Sequence, residues 1–352
     1  MKLSAVRLVL PSRVLSNDDV LALVYTNSKH IFSGDLQKSL AVIERMLVYS
    51  GAVQRHWCDK NERVLNLLAQ AVDNALADAD CTKSDIDVLV YASVDRAFAE
   101  PANAYFIAHA LGFEGVQCFD ILDACNGWMR AIQVADGLLR TGAYRRILVI
   151  NSEFNQFEGG AVYPSSFTLH KPDDIEHHFA GLTLGEGVTA TIIEVDQETP
   201  TLPQHWEFSG KSRPDLAELC SVPLAGFQRY ACPSEKTGHN GIGQFTSYSI
   251  PMFSVAVHEM VHLIKQVKTP LADISAIFTH AASETISNEC ATQLGVQQRI
   301  HNVYAQCGNL VSASIPAGIA LAINNKELTR GDQMLCCVGS AGMTFSVAYG
   351  IF

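Results

Sequence analysis

Residues 119–140 read FDILDACNGWMRAIQVADGLLR. An apolar stretch runs into Asp123-Ala124-Cys125-Asn126-Gly127, and helical spacing begins at once. A thiol at such a junction sits on a sharp bend beside the positive end of a helix dipole, which favours its thiolate and suits a nucleophile. A nucleophilic cysteine also needs a proton relay and donors for an oxyanion. His280 closes the apolar run AIFTH, Asn309 lies in a CGN turn, and Gly339-Ser340-Ala341-Gly342 offers backbone N–H groups. These form the candidate set. Cys307 stands where a second copy of the strand–cysteine–turn pattern would place its cysteine, and so competes with Cys125. Cys336-Cys337 lies inside an apolar strand and reads as core, and Trp57 and Trp128 read as packing or pocket walls.

A second chemistry is written at residues 258–262, His-Glu-Met-Val-His. On a helix His258 and His262 share a face and can bind zinc, with Glu259 as base and Glu284 or Glu289 as a further ligand. The same helix carries an apolar stripe, Val257, Met260, Val261 and Ile264, and lacks an H-x-x-G-x-x-H extension. It reads as a packed scaffold helix, so no metal is expected, and a zinc hydrolase stands only as the alternative from another class. His177-His178 with Asp173, Asp174 and Glu176 reads as solvated loop surface.

The elements that must hold these residues follow from periodicity. Residues 61–80 carry apolar positions at helical spacing, 86–94 form a buried strand, and 103–112 a helix stopped by Gly112. A strand ending near Cys125, a helix to about 140 and the strand RILVINSE (146–153) come next. Residues 196–250 are rich in Pro, Gly, Ser and Thr and read as a connection or insertion. Beyond them a helix (251–267), a strand (274–282), a helix ended by Gly295 and a closing strand pair repeat the order. The N-terminal stretch reads as a first strand rather than a signal peptide. The organisation is therefore α/β in two similar halves, 1–195 with the nucleophile and 251–352 with His280 and Asn309, their turns facing a shared centre.

Bulk properties remove whole function classes. The 352 residues are 48% hydrophobic and 17% charged, with 25 Lys plus Arg against 36 Asp plus Glu, a net charge of −11. That balance argues against nucleic-acid binding through phosphates. No run nears the roughly 20 apolar residues of a membrane span. Ten cysteines without a C-x-x-C pair read as reduced thiols of a cytoplasmic protein.

The order DACNGW, FTHAAS, CGNLVSASIPAGIALA and GSAGMTFSVAYGIF resembles the thiolase superfamily, in its 3-oxoacyl-acyl-carrier-protein synthase III branch. SGAVQRHW (50–57), LGFEGVQCFDILDAC and LGEGVTATII (184–193) fall in the matching order. The resemblance implies a five-layered αβαβα fold, a homodimer and a Cys125–His280–Asn309 triad, with no cofactor. It implies that Cys125 takes an acyl group from an acyl-coenzyme A or acyl-carrier-protein thioester. His280 and Asn309 then polarise a second thioester and promote decarboxylative Claisen condensation. The N–H groups of Cys125 and of the Gly339–Gly342 turn hold the oxyanion. Three departures stand out. Ala281-Ala282-Ser283-Glu284 replaces the usual Gln-Ala-Asn and basic residue, Glu100 replaces the aromatic before Pro101 that shapes the neighbouring subunit's acyl pocket, and IERMLVY (43–49) has no tryptophan. They open two alternatives: a same-fold acyltransferase to a hydroxyl or amine, and a non-catalytic partner subunit.

Overall fold

The computed structural model describes residues 1–195, 206–280 and 282–352. Ala281 and the start of the connection at 196 lie outside the described residues. Five strands form the first sheet: β1 (Lys2–Val9), β2 (Val88–Tyr91), β3 (Gln117–Asp120), β4 (Arg146–Glu153) and β5 (Gly187–Glu194). Their order is β1-β5-β4-β2-β3, with β2 parallel to β3 and β4, and β5 antiparallel to β4 and β1. The second sheet repeats this with β6 (Glu207–Ser212), β7 (Ala276–His280), β8 (Ile300–His301), β9 (Gln333–Ser340) and β10 (Thr344–Ile351), in the order β6-β10-β9-β7-β8 and the same directions.

Six helices match in pairs. In the first half α1 (Val64–Asp78), α2 (Asn103–Ala110) and α3 (Gly127–Arg140) follow β1, β2 and β3; in the second α4 (Ser249–Ile264), α5 (Glu284–Leu294) and α6 (Ser314–Asn324) follow β6, β7 and β8. Leu67, Leu68, Ala71, Val72, Ala75 and Leu76 make one buried stripe on α1, which with Ile107 and Ala108 of α2 covers the outer face of the first sheet. Val257, Met260, Val261 and Ile264 of α4, with Cys290 and Ala291 of α5, cover the outer face of the second. Helices α3 and α6 lie between the sheets, against Val88, Val90, Ile147 and Val149 on one side and Ala276, Phe278, Met334 and Val338 on the other. A helix flanked by sheets must be small and apolar nearly all round, and α6, SIPAGIALAIN, is that sequence. The layers are αβαβα, the thiolase-like architecture.

Two expectations change. Residues 207–212, within the segment read as a connection, supply the edge strand of the second sheet. His177, His178 and Asp174 are buried rather than solvated, in and beside a short helix (Ile175–His178), where the His177 ring packs on His178 at 4.8 Å and on His239 at 4.3 Å between centroids.

Gly127 marks the tightest point of the central layer. A Cβ there would stand 2.8 Å from the Ala92 carbonyl oxygen and 3.2 Å from the Ser312 Cβ, whereas one on the exposed Gly137 of the same helix meets nothing within 4 Å. Gly127→Ala is therefore expected to lower the unfolding free energy by roughly 1–3 kcal/mol through overpacking. Gly137→Ala should raise it by roughly 0.5–1 kcal/mol through helix propensity. Urea midpoints of the two variants check the pair, and equal shifts would contradict the packing account.

Candidate active site

The chain leaves β3 through Ile121 to Asp123 and turns into a single 3-10 turn, Ala124–Asn126, before α3 starts. Ala124 has φ +45°, a left-handed conformation that costs a non-glycine residue about 1–2 kcal/mol. The bend sets Cys125 at the head of α3, partly buried and facing the second half of the molecule. Ser340, the last residue of β9, closes the turn: its Oγ accepts from the Asn126 N–H at 3.2 Å and donates to the Asp123 carbonyl at 3.3 Å. The Ala341 N–H and the Ser340 hydroxyl also face the Cys125 sulfur and favour its charged form. The turn expected to hold an oxyanion thus approaches Cys125 through Ser340 and Ala341, while Gly339 is part of the strand and Gly342 reverses the chain with φ +72°.

The surroundings of the sulfur work against a thiolate. Burial, the nearby Cys220 and the charge of Glu153 push the Cys125 thiol up to about 12, against the pull of the Ala341 N–H and the Ser340 hydroxyl. Loss of water around the sulfur is the largest cause. His280, at the end of β7, is likewise buried, which brings its imidazole down to about 4 and keeps it neutral. Its Nδ1 lies 2.9 Å from the Ser314 hydroxyl at the start of α6. Asn309 is buried and held on three sides: its N–H donates to Thr183 O at 2.9 Å, its carbonyl accepts from Gly185 N–H at 3.0 Å, and its Oδ1 accepts from Val311 N–H at 2.8 Å. With Oδ1 committed, the Nδ2 end of the amide is the one left to donate.

The elements that carry these three residues meet at the middle of the molecule. The turn Val311–Ala313 packs directly on Ala124–Asn126, and Ser340 lies two residues beyond Val338, the register partner of His280. The match of the halves differs from the one read in the sequence. Val311 has φ +51° and opens a 3-10 turn just before α6, as Ala124 does before α3. In that register Cys125 answers to Ser312. Cys307 is instead buried at the end of a short helix (Tyr304–Cys307), its thiol pushed up to about 12 by burial.

Other candidates lie elsewhere. Trp128 is fully buried in the central layer, with its indole N–H donating to Thr191 Oγ1 at 3.0 Å. Glu100 is exposed on the loop before α2, at the cis bond to Pro101. Glu259 is buried in ion pairs with Lys211 at 2.9 Å and Arg213 at 3.7 Å, and His262 Nε2 lies 2.8 Å from Gln266 Nε2. The H-E-x-x-H carboxylate is therefore neutralised inside the scaffold, and no group of three metal-ligating side chains stands together among the described residues. Glu153, Ser312 and Ser314 were missed in the sequence. The available signal was a carboxylate ending the apolar run of β4, the same logic that pointed to His280.

Comparison with known proteins agrees with this geometry. The family described as 3-oxoacyl-[acyl-carrier-protein] synthase III matches residues 119–156, and its C-terminal family matches residues 264–349. The β-ketoacyl-[acyl-carrier-protein] synthase III of Bartonella henselae is 25% identical over 340 residues, covering 96% of this chain and 94% of its own. That of Clostridium perfringens is 24% identical over 328 residues, covering 92% and 96%. Among solved structures, a Xanthomonas campestris OleA variant with bound lauric acid and lauroyl-CoA superposes with a TM-score of 0.79 at 16% identity, over 99% of this chain and 98% of that one. The Aquifex aeolicus 3-oxoacyl-[acyl-carrier-protein] synthase III gives 0.74 at 20% identity, over 100% and 99%.

A thiol held near 12 gives slow, pH-limited chemistry in the free protein. Iodoacetamide is expected to modify the exposed Cys232 first, with Cys125 labelling still rising at pH 10. Peptide mass spectrometry measures both, and a Cys125 plateau below pH 9 would contradict the buried-thiol account. In its matched segments, its near-full-length relatives and its thiolase-like fold, the chain is similar to the 3-oxoacyl-acyl-carrier-protein synthase III enzymes, diverged to about 25% identity.

Proposed function

We propose that this chain is an acyl-transferring condensing enzyme whose nucleophile is Cys125. The observation that carries the reading is Cys125 set beside the left-handed bend at Ala124, with the Ser340 hydroxyl and the Ala341 N–H of the opposite half facing its sulfur. The relatives' names supply the substrate class, acyl groups delivered as thioesters.

In the first half-reaction the Cys125 sulfur bonds to the donor's carbonyl carbon while its proton passes to the neutral His280. The oxyanion rests on the N–H groups of Cys125 and of the 341–342 turn. The donor's C–S bond then breaks, and the departing thiolate recovers the proton. In the second, a malonyl-type thioester loses carbon dioxide, and its enolate oxygen is held by the His280 imidazole and the Asn309 amide. The enolate carbon bonds to the acyl carbon, and the Cys125 thiolate leaves and takes up a proton. A neutral imidazole suits this step because it donates to the enolate oxygen, and burial keeps His280 neutral through the physiological range.

Two copies of the chain are proposed to act together. Phe98 and Phe106 stack at 3.9 Å, and with Tyr105 and Leu122 they leave exposed apolar surface beside β3, an edge strand. On this reading Glu100, from the same loop as Phe98, faces the partner copy's acyl pocket. All ten cysteines are free thiols, which supports a reducing compartment such as the cytoplasm.

Intact-protein mass after incubation with an acyl-coenzyme A panel tests the nucleophile. One acyl mass should be gained and should be lost in Cys125→Ala; an adduct that persists in that variant sinks the assignment. Asn309→Ala should still acylate and His280→Ala should acylate more slowly, its proton acceptor being gone, while carbon dioxide release from a malonyl thioester falls by roughly 10²–10³-fold in both. Acyl transfer without carbon dioxide release would favour a hydroxyl or amine acceptor. Glu100→Phe should shift donor preference in the same panel toward shorter chains, and an unchanged ranking would remove Glu100 from the pocket.

A further inference from the structure

The register of the two sheets makes Glu153 and Ser340 equivalent. Each is the last residue of an eight-residue strand, and the pairings Val88↔Ile147 and Ala276↔Met334 put both strands in the same frame. Each also reaches across to the bend of the other half. Ser340 holds the turn that carries Cys125, and Glu153 accepts a short hydrogen bond from the hydroxyl of Ser312, the residue that answers to Cys125. Asn151 Nδ2 donates to the same Ser312 Oγ at 3.1 Å. Ser312 is thereby fixed between Glu153 and Gly127, the first residue of the nucleophile's own helix.

Glu153 is 1% exposed and accepts two further bonds, from Val94 N–H at 3.1 Å and Asp95 N–H at 3.3 Å. The ionisable groups around it are Asp95 and Tyr91, on β2 and the loop after it, and Cys125 from the facing turn. Glu186 and Arg96 stand beyond Asp95. We propose that Glu153, bound to Ser312 across the centre of the molecule, is a positioning residue that sets how readily Cys125 ionises. Its negative charge opposes the thiolate, and its protonation releases that opposition. Burial raises the Glu153 carboxyl to about 7 and the neighbouring Asp95 to about 8, so the change falls in the working range of the protein. Its bearing on catalysis rests on Cys125 being the nucleophile, but the coupling is read on the free thiol without any acyl substrate.

Iodoacetamide labelling of Cys125 in the full chain, followed by peptide mass from pH 5.5 to 9.5, tests the coupling in wild type, Glu153→Gln and Ser312→Ala. The Glu153→Gln rate should equal wild type at pH 5.5 and exceed it roughly three- to tenfold at pH 9, removing a bend in the wild-type profile near pH 7. Ser312→Ala takes away the hydroxyl that stabilises the carboxylate and should move that bend to higher pH. Parallel wild-type and Glu153→Gln profiles in folded protein would make Glu153 purely structural. Should Glu153→Gln fail to fold, an unmoved bend in Ser312→Ala overturns the proposal on its own. Coupled labelling without acyl adducts would reject the condensing reading while leaving the coupling in place.

Discussion

The close approach of two helix starts at the middle of the molecule governs the rest of the structure. Helix α3 begins at Gly127 against the Ala92 carbonyl and Ser312, and α6 begins three residues after Val311. To bring both starts to one point, each chain takes a left-handed residue where neither is glycine, Ala124 and Val311. Such conformations cost about 1–3 kcal/mol each and persist only where surrounding structure fixes them. Here the fixing comes from two sheets pressed on a shared helical layer, and from Ser340 and Glu153 reaching across it. Scaffold and strain cannot be separated: the layer packing holds the bend, and the bend sets where the sulfur stands.

The same packing determines the electrostatics. Water is excluded from the centre, so the ionisable groups there lean toward their neutral forms: thiol at Cys125, imidazole at His280, and carboxyls raised at Glu153 and Asp95. A centre of this kind does not store a charged thiol. Donors fixed there act in a medium where each is stronger than in water. Proton position, more than static charge, becomes the variable that the residues around Cys125 control.

Much of this was legible in the sequence where burial on both faces writes a continuous apolar run. RILVINSE and the small-residue helix after Val311 are of that kind, and their positions follow from composition alone. Strand β6 was hidden because it is a sheet edge with Glu207, Ser209, Gly210, Lys211 and Ser212 all exposed, so it shows no alternation. His177 and His178 looked solvated because polar residues normally are; the His177 ring packs on His239, some 60 residues away, and no local pattern reports that. Cys307 drew the wrong register because residue identity was matched, whereas the equivalence lies in backbone conformation at Ala124 and Val311. The places of Cys125 at the head of α3 and His280 at the end of β7 were readable since each follows an apolar run. Glu153 ends one too, but a carboxylate there reads as the exposed end of a strand.

The duplication is close in backbone and broken in side chains, and the breaks follow from space. In the second half His280 ends β7 and its ring nitrogen meets Ser314, the first residue of α6. The equivalent pair in the first half is Ala92 and Gly127, and a Cβ on Gly127 would already press on the Ala92 carbonyl at 2.8 Å. That corner has no room for an imidazole. At the strand ends the contrast runs the other way: Ser340 gives the turn that carries Cys125 a neutral hydroxyl, bonded to the Asp123 carbonyl, whereas Glu153 gives Ser312 a buried carboxylate. A carboxylate at 340 would stand against the sulfur and suppress its ionisation, while at 153 it acts through Ser312 and at longer range. One turn can therefore carry the thiol because its mirror turn carries the charge.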